Sequence, residues 1–238
     1  MTLRTPRIPE EPTRQAGSRR FVFEAIDDTT ECVVSDVTFD VDDVQELYRI
    51  VGTNAAEIDS GAEYELEPQQ VNQLKARYNI AFEPATGTVL IRNWHALDDL
   101  PYKIHTGREL ALMLEGKKPL AYFSGQYPPN PEVEEIPERL FDPHVEDGRF
   151  VKREYVMFAD NCGPSLRSNG LCMRIVMYAL PEQEWRIDAM LLVLETAAKC
   201  GWSEGFERMQ GSLLGYENWQ NDIYIERIFR STSVKDES

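Results

Sequence analysis

No apolar run in this chain is long enough to cross a bilayer. The longest, Ala189 to Leu194, falls far short of the ~20 residues a spanning helix needs. Cysteine is sparse too: Cys32, Cys162, Cys172 and Cys200 are scattered, with no CxxC pair among them. That spacing argues against a zinc knuckle, so no metal is expected. The basic N-terminus is not followed by an apolar stretch of the kind that marks a secretory leader, so the four thiols read as reduced and the protein as cytoplasmic. Also missing are a P-loop, a dinucleotide fingerprint, HExxH, GxSxG and the kinase signatures. These absences argue against the common nucleotide enzymes, and no cofactor is expected.

Base is scarcest between Phe21 and Gln70, where fourteen acids face Arg49 alone. The chain as a whole has a formal net charge of −16. A field this one-sided repels nucleic acid and anionic membranes and attracts basic partners. The acids are interleaved with Phe21, Phe23, Val33, Val37, Phe39, Leu47 and Tyr48, which is apolar mass enough to fold rather than a disordered acidic tail.

The 238 residues suffice for one large domain or two small ones. Residues 1–20 read as a flexible basic arm, interrupted by Pro6, Pro9 and Pro12 and carrying Arg4, Arg7, Arg14, Arg19 and Arg20. Residues 21–127 read as an acidic α+β domain of order ββααβαβ. Its strands are expected at Arg20–Ile26, Glu31–Phe39, Thr88–Trp94 and Pro119–Ser124, with a hairpin turn at Asp27-Asp28-Thr29-Thr30. Asp40 is the expected N-cap of a helix through Val44, Leu47, Tyr48 and Val51 that Gly52 ends. Pro68 should open a second helix with Val71, Leu74 and Tyr78 on one stripe. Thr106-Gly107-Arg108-Glu109 reads as a capping box for a third.

Residues 128–148 hold Pro128, Pro129, Pro131, Pro137 and Pro143 and read as an extended connector. Residues 149–231 form a ββααα part and residues 232–238 a tail. Its long helix begins at Pro181. Trp185, Ile187, Met190, Leu191, Leu192 and Leu194 cover more than one of its faces, so it should be well buried. Ser203 should cap the next helix. The fold class expected throughout is α+β, a mixed or antiparallel sheet with packed helices.

Three constellations invite a functional reading. Asp36, Asp40, Asp42, Asp43 and Glu46 form a carboxylate cluster without the central glycine and closing glutamate of an EF-hand. It is either a partner-binding acidic face or a helix N-terminus that welcomes acids. The stretch Glu207–Asp222, with Tyr216, Trp219 and Asp222, suits an aromatic recognition surface. It equally suits a tight turn between two helices. The third is the loop around Cys162. Asn161-Cys162-Gly163-Pro164 resembles the Asp-Cys-Gly-Pro stretch of some papain-like cysteine peptidases. In those families the histidine follows the cysteine, whereas His95, His105 and His144 all precede Cys162.

The leading expectation is a soluble acidic binding module that docks a basic protein or peptide, as an accessory subunit, immunity protein or inhibitor does. The alternative is a cysteine-dependent hydrolase or acyl transferase, with Cys162 as nucleophile and His144 or His105 as base.

Overall fold

The computed structural model describes residues 19–53, 62–83, 87–157 and 172–230. The chain divides into two compact units, residues 1–108 and 109–238. The α+β expectation is borne out: among the described residues there are seven helices and two antiparallel sheets.

The first unit begins with strands β1 (Arg19–Asp27) and β2 (Cys32–Val41). Asp27 turns the chain between them. Its Oδ1 accepts from the Thr30 amide and the Thr30 hydroxyl, each at 2.8 Å, which replaces the ladder bonds lost in the turn. Helix α1 (Val44–Val51), strand β3 (Tyr64–Leu66), helix α2 (Pro68–Tyr78) and strand β4 (Thr88–Asn93) follow. The sheet order is β2-β1-β4-β3.

Residues of one parity point into the core. Phe21, Phe23 and Ala25 of β1 meet Phe39, Val89 and Ile91, with Leu47, Tyr48, Val71 and Leu74 of the two helices above them. Phe23 and Phe39 meet edge to face, with centroids 4.8 Å apart. Residues of the other parity, Arg20, Glu24 and Ile26 on β1 and Leu90 and Arg92 on β4, face the opposite side. There the segment 94–108, with a 3₁₀ turn at Ala96–Asp99, is tied to the sheet. The Trp94 amide bonds the Arg20 carbonyl and the Val33 amide the Gly107 carbonyl.

One cap differs from expectation. Asp43, not Asp40, caps α1, its Oδ1 accepting the Glu46 amide at 3.0 Å. Pairing with β1 carries β2 on to Val41, with Asp40 opposite Arg20, so Asp40 is still in the ladder. Gly52 ends the helix as expected, in the left-handed region at φ 79°. Asp43→Ala should therefore cost about 1 kcal/mol, and Asp40→Ala, which loses an exposed pair with Arg20, less than about 0.5 kcal/mol. Urea unfolding of the two variants checks this. A loss at Asp40 as large as that at Asp43 would contradict the assignment.

The second unit opens with helix α3 (Glu109–Leu114) and strand β5 (Leu120–Tyr127). This strand was expected within the N-terminal part. Its partner is β7 (Cys172–Ala179), itself flanked by β6 (Val151–Met157), in a sheet of order β5-β7-β6. The proline-rich stretch expected as a connector holds helix α4 (Glu138–Glu146). Its Phe141 is 2% exposed, packing tilted on Tyr178 with centroids 4.7 Å apart and edge to face against Phe123 at 5.1 Å.

Helix α5 (Trp185–Cys200) lays Ile187, Met190 and Val193 on Leu120, Ile175, Met177 and Ala179. It is less enclosed than expected, with Leu192 67% exposed. One sheet face offers room for a single buried stripe of a helix, and Leu192 falls outside it. Ser203 caps α6 (Glu204–Leu213) as expected, and α7 (Asn218–Tyr224) continues into a π-helical turn, Ile225–Phe229. No described helix is long and apolar enough to cross a membrane.

Candidate functional site

The outward parity of the first sheet and the segment 94–108 enclose a groove of about 770 Å³. Ile26, Val33 and Leu90 give it an apolar floor. Seven acids line it: Glu24, Asp28, Glu31, Asp36, Glu63, Glu65 and Asp98. Arg92, Lys103 and Arg108 are its three bases, joined by His95.

At its centre Arg92 bridges two carboxylates. It donates to Glu24 at 2.7 Å and to both oxygens of Asp98, at 2.8 and 2.9 Å. Glu24 is opposite Leu90 and Arg92 is opposite Val22 in the β1–β4 ladder, which sets the two side chains diagonally on one face. The Glu24 side chain is only 9% exposed, so this pair is part of the interior as much as of the groove. Hydrogen bonding to Asp98, against the cost of burial, raises the Arg92 guanidinium further above its ordinary range. Burial works to raise the Asp98 carboxyl, but bonds from Arg92 and the His95 amide outweigh it, and the net shift is downward.

Glu63 behaves oppositely. It keeps an exposed flank, yet partial desolvation in the groove, and then the Glu24 carboxylate, push its carboxyl up. An incoming cation would relieve both effects. Asp28 is oriented by Thr88, whose amide and hydroxyl both donate to its Oδ1 at 3.0 Å.

Of the carboxylates singled out in the sequence, only Asp36 lines the groove. It pairs with Lys103 and, at 2.7 Å, with Arg108. Asp40 pairs with Arg20 and Asp42 with Arg77, at 3.2 and 3.1 Å. Asp43 is spent on the cap, and Glu46 pairs with Arg49 at 2.6 Å. The hydrogen bond from Arg49 lowers the Glu46 carboxyl. Much of the local charge surplus is thus met by bases distant in sequence. The groove's central group, Glu24, Arg92 and Asp98, was not singled out. Its one signal was a charged residue at an outward position directly after an apolar run, Glu24 in β1 and Arg92 in β4.

In the second unit, Tyr216 lies in the turn joining α6 to α7, and Trp219 and Asp222 lie on α7. The Trp219 indole donates to Glu217 at 2.9 Å and Asp222 pairs with Arg208 at 2.5 Å. Tyr216 lies 6.0 Å from the Lys118 ammonium. Lys118 is 2% exposed, and burial, partly countered by Glu109, pushes its ammonium down to about 8. Gly215 takes φ 95°, and a Cβ there would collide with the Pro119 ring. Along α4, Glu138 receives Arg174 and Lys152, each at 2.5 Å. The Arg174 hydrogen bond, against desolvation and with Lys152 assisting, holds its carboxyl down to about 2.

Cys162 lies outside the described residues. His105 belongs to the first unit and His144 to the second. His144 rests edge-on against Phe150 at 5.3 Å, and its buried Nδ1 has no hydrogen-bond partner among the described residues. No group of three or more His, Cys, Asp or Glu side chains that could hold a metal ion occurs among the described residues.

Comparison of the chain with protein-family models, with curated proteins and with solved structures found no match.

Proposed function

We propose that the first unit is a binding module whose groove takes a basic peptide segment of a partner protein. Cationic side chains would meet Glu63 and Glu65, and apolar ones would rest on Ile26, Val33 and Leu90. The observation that carries this reading is the groove's surplus of seven acids over three bases above an apolar floor. The raised carboxyl of Glu63 supports it, because a bound cation favours the ionised form. The same surplus disfavours nucleic acid and anionic lipid. An accessory subunit, an immunity protein and an inhibitor would each use such a groove in the same way.

The test is fluorescence anisotropy with a labelled Lys/Arg-rich peptide carrying interspersed Leu and Ile. Measured in full-length R4E/R7E, whose own basic residues no longer compete for the acids, E63Q/E65Q should weaken binding roughly tenfold, as expected for two partly exposed charge contacts. D42N, on a carboxylate outside the groove, should not. Raising salt from 50 to 200 mM should weaken binding further. Affinity should also fall as pH drops through the raised range of Glu63, where the protonated carboxyl no longer attracts a cation. Equal affinity of R4E/R7E with and without E63Q/E65Q, or indifference to salt, would remove the proposal.

A further inference from the structure

We propose that the groove's resident ligand is this chain's own N-terminal arm, with Arg4 and Arg7 on its acids and Leu3 and Ile8 on its floor. This rests on the groove being a site for basic peptide. It makes the arm an internal competitor that an external partner must displace.

Charge and pattern argue for it together. Residues 1–18 hold Arg4, Arg7 and Arg14, and in the stretch Leu3-Arg4-Thr5-Pro6-Arg7-Ile8 the apolar Leu3 and Ile8 flank the two arginines. The groove presents the complement, Ile26, Val33 and Leu90 beneath Glu63 and Glu65. A partner of that composition is already covalently attached, next to the site. The arm joins the sheet at Arg19, the first residue of β1, and β1 itself contributes Glu24 and Ile26 to the groove.

Reach is sufficient. Ten residues, 9–18, span at most ~33–36 Å when extended. From Arg19 to Ile26 along a strand is about 23 Å, and crossing the four strands takes about 14 Å. Gly17 and Ser18 allow the chain to reverse before β1. Glu10 and Glu11 lie beyond the docking stretch, where they would not have to enter the acidic groove.

Tethering sets the expected size of the effect. A flexible link of this length gives an effective concentration of about 1 mM. A free peptide binding in the ten-micromolar range would then lose about a hundredfold in apparent affinity to the attached copy. The experiment titrates a labelled synthetic peptide of residues 1–18 into two full-length proteins, the native chain and R4E/R7E. R4E/R7E should bind the peptide at least tenfold more tightly, and adding E63Q/E65Q to it should reverse the gain.

Equal binding of the peptide by both proteins would overturn occupancy by the attached arm while leaving the groove as a peptide site. If neither protein binds residues 1–18 but both bind an unrelated Lys/Arg-rich peptide, the assignment of the arm alone is overturned. If neither binds any basic peptide, the groove reading falls, and this inference with it. A concentration-dependent dimer of the native chain that R4E/R7E dissociates would place the arm in a second copy and overturn the intramolecular form.

Discussion

Arg92→Met is expected to destabilise the first unit by about 3–5 kcal/mol, the cost of stranding buried charge. Glu24 and Asp98 converge on this one guanidinium at 2.7 and 2.8 Å, and both are largely out of solvent. Methionine fills similar volume but leaves two carboxylates facing each other without a cation. The loss should depend on pH, and its sign follows from the two folded states. In the native chain the Asp98 carboxyl is depressed. Its contribution is complete above the unfolded value of about 4 and disappears as pH falls through the depressed folded value. In the variant, burial without a counter-charge raises the Asp98 carboxyl above its unfolded value. The variant is then most stable below pH ~4 and loses stability as pH rises through the raised value. The gap between the two proteins should widen from pH 4 to pH 7 in urea unfolding. Arg92→Met combined with Glu24→Gln should recover a substantial part of the loss at pH 7. A loss below about 1 kcal/mol, or one independent of pH, would show that the ion pairs are not the keystone described.

Phe141→Ala should cost the second unit about 3–5 kcal/mol. Phe141 is the anchor of α4, held among Phe123, Phe150 and Tyr178 with centroids 4.7–6.1 Å apart. Truncation opens a cavity that these rings cannot close without leaving their own packing. On the same face, the Tyr178 hydroxyl donates to Asp142 at 2.8 Å, and Lys152 joins Asp142 to Glu138. Loss of the ring should therefore loosen this polar seam as well. Hydrogen exchange of β7 measures it directly, because Val176 and Tyr178 lie on the strand shared by both neighbours. If residues 128–148 were only a spacer, neither stability nor exchange would change by more than surface substitutions do.

The elements that local chemistry controls were readable before folding. Gly52 ends α1, Pro68 opens α2 and Ser203 caps α6, each through a backbone preference or a side chain acting within one turn. The alternation of Phe21 and Phe23 with Val22 and Glu24 marked β1, because strand geometry itself sends neighbours to opposite faces. Asp40 was misread as a cap for the complementary reason. Whether an aspartate ends a strand or starts a helix depends on how far the partner strand extends, and β1 pairs through Arg19 and Val41. Helix α4 was hidden because its sequence carries Pro143 and many charges. What holds it is an aromatic cluster assembled from β5, β7 and Phe150.

The sequence by itself determined the fold class, most element starts and stops, and the acid surplus of residues 21–70. Those properties are set residue by residue or over a single turn. Only the tertiary structure decided which of the acids line the groove. Bases distant in sequence from their partners, Arg77, Arg92, Lys103 and Arg108, take up Asp42, Glu24 and Asp36. Such pairings follow from strand register and chain reversal, and Coulomb attraction acts on distance in space, which the order of residues does not contain.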